Sequence, residues 1–97
     1  MLSVRFAPAA LRDLRRLQDF LASKDMGAAQ RAGQVIEKGL RVLAEHPQIG
    51  RPVEDMEESF RAWPIPFGDS GYLALYRVDT DAVTILAIRH QKESGWA

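Results

Sequence analysis

Cysteine is absent from this 97-residue chain, which removes a disulfide framework, a thiolate metal site and a cysteine nucleophile. Histidine is scarce: His46 and His90 lie far apart and lack metal-ligand spacing, so neither a metal nor a cofactor is expected. An excess of either charge is also missing, because thirteen basic residues balance thirteen acidic ones. Proteins that hold nucleic acid by its phosphates usually carry a basic surplus, so direct nucleic-acid binding is expected to be weak or absent. No apolar run approaches the roughly 18 residues that a membrane span requires. Met1-Leu2-Ser3-Val4-Arg5 leads straight into alternating sequence, without the apolar region of a signal peptide. The expectation is a soluble, cytoplasmic protein, one domain over residues 1–97, with room for a single two-layer core.

The charge that is present is unevenly placed. Residues 1–46 carry eight basic side chains against five acidic ones, and residues 47–97 carry five against eight. The acidic tilt comes from Glu54-Asp55-Met56-Glu57-Glu58, a stretch that repels a polyanion.

Periodicity divides the chain into elements. Leu2, Val4 and Phe6 alternate with polar or small residues and read as a short strand. Pro8 suits a first helical turn, and Leu11, Leu14, Leu17 and Leu21 then recur at helical spacing, with Arg12, Asp13, Arg15, Arg16 and Asp19 on the other face. After Lys24, Asp25 is a reasonable N-cap for a second helix from Met26 to Glu45, striped by Ala28, Ala32, Val35, Ile36, Leu40 and Leu43. The short connection predicts an antiparallel helical hairpin. Pro47 ends that helix, and Gly50 and Pro52 keep residues 47–59 irregular. Phe60 to Pro66 reads as a strand in which Pro64 and Pro66 demand an edge, or positions whose N–H would face away from the ladder. Gly68-Asp69-Ser70-Gly71 is a turn, Tyr72 to Val78 a strand, Thr80-Asp81 a tight turn, and Val83 to Arg89 the last strand. The fold class is therefore α+β in the order β-α-α-β-β-β. The helical hairpin packs on one face of a small, mainly antiparallel, four-stranded sheet.

The last strand ends in Arg89-His90-Gln91-Lys92-Glu93, which gathers cationic and titratable groups at one sheet edge. His90 reads as a general acid or base, as a partner-contact residue, or as a strand-end histidine bonded to a backbone carbonyl. Arg61 and Arg77 read either as phosphate ligands or as partners of Asp79, Asp81 or Glu58. Trp63 and Tyr76 read either as stacking platforms or as sheet-face core. With 46% hydrophobic residues, and with Leu73 and Leu75 alternating against Tyr72, Ala74, Tyr76 and Val78, both faces of the central strand are apolar. The face that the helices leave uncovered is expected to meet a partner.

This order of elements resembles the RelE/ParE superfamily of bacterial toxins from type II toxin–antitoxin operons. The likeness rests on the break Leu43-Ala44-Glu45-His46-Pro47 with Ile49-Gly50-Arg51-Pro52 behind it, and on Arg61 opening a strand. It continues through Tyr72-Leu73-Ala74-Leu75-Tyr76-Arg77 and the ending Ile85-Leu86-Ala87-Ile88-Arg89-His90. The spacing is more similar to the ParE branch. The resemblance implies a toxin that inhibits DNA gyrase by contact, with Arg89, His90, Gln91, Lys92 and Glu93 as its target-binding segment and no catalytic residues of its own. It also implies a hetero-oligomer with a cognate antitoxin wrapped over Leu14, Leu17, Leu21, Trp63, Tyr72 and Tyr76. The alternative within the superfamily is a metal-independent, ribosome-dependent mRNA endonuclease using Arg61, Arg77, His90 and Lys92. Against that alternative, Arg51 is followed by acids rather than lysines, and Trp96 stands near the C-terminus where a tyrosine is wanted. A third reading is a non-toxic, antitoxin-binding module in an autoregulatory complex.

Overall fold

A computed structural model describes residues 1–93 and Trp96. Strand β1 (Ser3–Phe6) is followed by helix α1 (Pro8–Ala22) and helix α2 (Met26–Glu45). The strands β2 (Arg51–Pro52), β3 (Phe60–Phe67), β4 (Ser70–Val78) and β5 (Ala82–His90) complete the chain. Pro8 opens α1, and Asp25 caps α2 by accepting a hydrogen bond from the Ala28 amide at 3.2 Å. Helix α2 has the expected bounds, and α1, expected from Ala9 to about Ser23, is displaced by one residue at each end.

The sheet has five strands in the order β1-β5-β4-β3-β2, one more than the four expected. The extra strand, β2, is only two residues long and pairs Arg51 with Ala62 and Pro52 with Arg61. It lies within the Gly/Pro segment, where a two-residue pairing leaves no periodicity to read. The outer strand β1 runs parallel to β5, and every other pairing is antiparallel. Gly68, at φ 63, supplies the left-handed conformation of the two-residue turn between β3 and β4. That turn makes Phe67 and Ser70 a hydrogen-bonded pair, so Pro64 and Pro66 fall where an N–H would point away from β4, beyond the end of β2.

A register shift interrupts the β4–β5 ladder. Leu75 pairs with Ala87 but Tyr76 pairs with Ile85, which leaves Leu86 as an extra residue in β5. Strict alternation from Val83 would turn Arg89 toward the helices and His90 away from them. The extra residue reverses this, placing His90 beside Tyr72 on the helix-covered face and Arg89 beside Leu73 on the other.

Beneath the helices lie Ile65, Tyr72, Ala74, Tyr76, Val83, Ile85 and Ile88, packed against Ala10, Leu17, Ala32, Ile36, Leu40 and Leu43. The uncovered face does not carry the exposed apolar stripe that the alternation suggested. Leu75 is buried there, Leu73, Leu86 and Ala87 are half-buried, and Trp96 stacks over the Arg89 guanidinium at 4.9 Å. Large exposed apolar groups are instead found on α1, at Leu11 and Phe20, and at Ile49 and Met56 in the α2–β3 connection.

A groove and a C-terminal turn beside the first helix

The C-terminal half of α1 and the β3–β4 hairpin enclose a cleft of about 600 Å³. Leu17, Phe20, Leu21, Phe67 and Tyr72 form its apolar walls, while Arg16, Asp69, Ser70, His90, Lys92 and Glu93 ring it. Leu17 and Tyr72 form the floor and are almost entirely buried, whereas Phe20 stands 62% exposed on the rim with the Lys24 ammonium 5.2 Å over its ring. This is a water-accessible apolar surface with cations around it.

The C-terminal turn is held to this rim by carboxylates. Beyond Phe6 the strand β1 has ended, so the outward-facing amides of β5 lose their ladder partner. Asp13 Oδ2, from α1, accepts the Ile88 N–H at 3.0 Å, and Glu93 Oε1 accepts the His90 N–H at 2.8 Å. Two side chains thus complete the edge of β5, and Asp13 is not the purely solvent-facing residue that helical spacing suggested. Glu93 also receives Arg16 Nη1 at 2.9 Å and Nη2 at 3.4 Å, while its backbone carbonyl accepts from Arg89. The His90 amide, with support from Arg16, holds the Glu93 carboxyl below the ordinary carboxylate range.

His90 occupies the corner of the cleft. Its Nδ1 accepts the Lys92 N–H at 3.1 Å, which assigns the ring proton to Nε2, where it is donated to Ser70 Oγ at 3.0 Å. The ring also meets Tyr72 edge-on at 5.7 Å. Both imidazole nitrogens are therefore engaged, and no lone pair is left over for proton abstraction.

The four residues of an endonuclease site are not brought together. Arg61 lies on the helix-covered face and donates to the carbonyls of Gly50 at 2.7 Å and Gln48 at 3.2 Å, so its guanidinium clasps the α2–β2 connection. Arg77 lies on the opposite face beside Asp79, with Nε to carboxylate at 3.4 Å. It pairs with Thr84, five β4 positions from the Tyr72–His90 pair, or roughly 17 Å along the strand at about 3.4 Å per residue. Only His90 and Lys92 are neighbours. Among the described residues no group of three or more His, Asp or Glu side chains is arranged to hold a metal ion, and no helix is long and apolar enough to cross a membrane.

The residues expected to meet an antitoxin are divided in the same way. Leu17, Leu21 and Tyr72 share the groove, but Leu14 lines a different hollow between α1, α2 and β1. Trp63 donates its indole N–H to Gly39 O at 3.0 Å and is tied to α2. Tyr76 is fully buried, so its expected place on a partner-facing surface is corrected. Its hydroxyl donates to Pro47 O at 2.8 Å and accepts from the Gly50 amide at 2.9 Å. A Cβ at position 50 would approach that hydroxyl to 2.5 Å, so glycine is needed for the contact. Burial pushes the Tyr76 pKa up, against the opposing effects of the Gly50 amide and Arg61. Phe67, Ser70 and Arg16 belong to the groove yet carried no signal of it in sequence, because the hairpin and the helix meet only in the fold.

A helical hairpin on one face of a mixed five-stranded sheet is a fold this chain shares with solved structures from toxin–antitoxin systems. A chain of the chromosomal ParDE TA system from P. aeruginosa superposes with a TM-score of 0.77 at 24% identity, covering 93% of this chain and 96% of that one. A chain of the toxin–antitoxin complex RelBE2 from Mycobacterium tuberculosis gives 0.59 at 26% identity, covering 93% and 98%. In sequence, Toxin RelE3 of Caulobacter vibrioides is 39% identical over 93 residues, spanning 96% of this chain and 98% of that protein. Toxin RelE1 of the same organism is 38% identical over 84 residues, 87% of each. Residues 4–95 match the family described as the ParE toxin of the type II toxin–antitoxin system parDE, and the chain belongs to that family.

Proposed function

We propose that this toxin acts by protein–protein contact, inhibiting DNA gyrase and blocking replication, and that a cognate antitoxin silences it by occupying the groove beside α1. The observation that carries this reading is the dispersal of Arg61, Arg77 and His90. One is spent on loop carbonyls, one faces the far side of the sheet, and one has both ring nitrogens engaged. Phosphoryl transfer from RNA without a metal needs a base, an acid and a cation around one phosphate, and Arg61, Arg77 and His90 do not surround one such position. Instead, Arg89, His90, Gln91, Lys92 and Glu93 form a structured and largely accessible turn that suits recognition of a protein surface. The antitoxin assignment draws on the apolar walls at Leu17, Phe20, Leu21, Phe67 and Tyr72 and on the cations Arg16, Lys24 and Lys92 around them. Such a rim suits an acidic amphipathic helix laid into the groove.

Two assays run side by side test the reading. Purified toxin titrated into a gyrase supercoiling reaction is expected to abolish supercoiling and accumulate cleaved DNA, while mRNA on programmed ribosomes stays intact. Codon-phased mRNA cuts with normal supercoiling would replace the proposal with the endonuclease reading carried by the RelE names of its relatives. The substitution His90→Ala separates the two mechanisms again. A contact residue is expected to cost at most a few kcal/mol of target affinity, whereas a catalytic one costs orders of magnitude in rate.

A further inference from the structure

We infer that the acidic loop of one copy of this chain, residues 53–60 with Met56 as the apolar contact, docks in the cleft beside α1 of a second copy. The contact uses the cleft assigned above to an antitoxin but does not depend on that assignment. Residues 51–60 carry Glu54, Asp55, Glu57 and Glu58 against Arg51, and none of the four carboxylates has an ionic partner among the described residues. Met56 stands between them, 43% exposed, so the loop presents an apolar side chain flanked by negative charge. The cleft presents the complement, with apolar walls at Leu17, Phe20 and Phe67, the Lys24 ammonium over Phe20 and Lys92 on the rim. Of the acids that line it, Glu93 is already neutralised by Arg16, and Asp69 lies on the exposed turn. The loop is also built before it docks. Met56 N–H donates to Val53 O at 3.2 Å and Phe60 N–H to Glu57 O at 3.0 Å, with Asp55 in the left-handed region at φ 67. A loop already folded loses little conformational freedom on binding, and an unbranched, polarisable methionine adapts to an apolar surface.

The occupant comes from another copy because the loop cannot reach its own groove. The cleft lies at the β3–β4 turn and the loop joins β3 at its other end, roughly 24 Å away along Phe60–Phe67 at about 3.4 Å per residue. The contact is therefore heterologous, with two different surfaces meeting. It is small for a protein interface, so association is weak and needs high concentration. Charge supplies much of it, and salt weakens it by screening exposed pairs. A neighbour's loop seated against Phe20 and Phe67 excludes any other occupant, so self-association competes with whatever else the groove binds.

The test is sedimentation equilibrium of the full chain over a range of concentrations, at low and at high salt. Apparent mass is expected to climb above that of the single chain as concentration rises, with association weaker at high salt. Two variants separate the halves of the contact. Met56→Gln combined with Glu57→Gln and Glu58→Gln strips the loop and leaves the groove, whereas Phe20→Glu blocks the groove and leaves the loop. Every substituted position is exposed, so both variants keep the fold. Each alone is expected to self-associate about tenfold more weakly than the parent chain. An equal mixture of the two is expected to associate again, because the intact loop of one meets the intact groove of the other. A parent chain that stays monomeric, a loop variant that associates like the parent, or a silent mixture overturns the contact. Titration with a peptide from the C-terminal half of the antitoxin encoded beside the toxin reads the antitoxin assignment separately. Peptide binding that Phe20→Glu abolishes, in a chain that never self-associates, overturns the contact and leaves the groove to the antitoxin. Restored association in the mixture, with peptide affinity indifferent to Phe20→Glu, upholds the contact and removes the antitoxin from the groove.

Discussion

The amides of Ile88 and His90 face outward where β1 no longer covers β5, and a strand edge beneath a helix has little water to replace a lost partner. Asp13 and Glu93 supply that replacement, and of the two Asp13 is the less exposed. Asp13→Ala is therefore expected to lower unfolding free energy by about 1–3 kcal/mol, the cost of stranding a part-buried donor. Asp13→Asn, which keeps a carbonyl acceptor, should recover most of it in a denaturant titration. Equal stability of the alanine and asparagine variants would refute the role. Helical spacing put Asp13 on the polar face of α1 and said nothing of the strand lying alongside. A polar residue on the border between helix faces has two outcomes in sequence, and only the neighbouring amide chooses between them. The same limit applied to Tyr76, whose alternation marked it as a sheet-face residue without saying that its hydroxyl closes a loop.

At the level of elements, that loop is the best example of what the sequence does and does not reveal. Pro47, Gly50 and Pro52 announced a break after α2. They did not announce that Tyr76 and Arg61 would grip it through Pro47 O, Gln48 O, Gly50 O and the Gly50 amide. Tyr76→Phe removes both hydroxyl bonds and leaves the buried Gly50 N–H unpaired, so a loss of about 1–3 kcal/mol is expected with the fold retained. Alkaline pH probes the same residue without mutation. Burial raises the Tyr76 pKa, and that of Tyr72, above the ordinary value of 10.0, so the unfolded chain ionises first. Stability from these groups is present below pH of about 10 and falls as pH climbs through the folded-state values, because the native state then binds more protons than the unfolded one. Tyr76→Phe should make that alkaline decline shallower, and an unchanged slope would show that other groups govern it. The helices, by contrast, were legible almost to the residue, since a 3.6-residue stripe and an Asp cap are local signals. The extra residue Leu86 in β5 was not, and it reverses which of Arg89 and His90 joins the groove. No period survives a one-residue insertion in a nine-residue strand.

Across the whole molecule, balanced composition conceals an unbalanced distribution. Basic residues gather on α1 and the groove rim, while Glu54, Asp55, Glu57 and Glu58 project from the α2–β3 connection. The net charge of zero gives no sign of that division, nor of the suitability of the basic side for the acidic partner proposed above. Phe20 allows that suitability to be separated from stability. It is 62% exposed, and the ammonium of Lys24, four residues on, lies over its ring. Phe20→Glu gives up little burial and gains a possible pairing with Lys24 at helical spacing, so unfolding free energy should stay within about 0.5 kcal/mol of the parent chain. Its effect on binding is of a different size. An aromatic anchor at the lip of an apolar groove, exchanged for a charge of the same sign as the incoming segment, is expected to cost about 2 kcal/mol or more, roughly thirty-fold in Kd. Calorimetric titration with the antitoxin peptide measures that loss directly, and raising the salt concentration should shrink its repulsive share because exposed charges are screened. An unaltered Kd at low salt would move the partner off this groove and onto another face of the toxin.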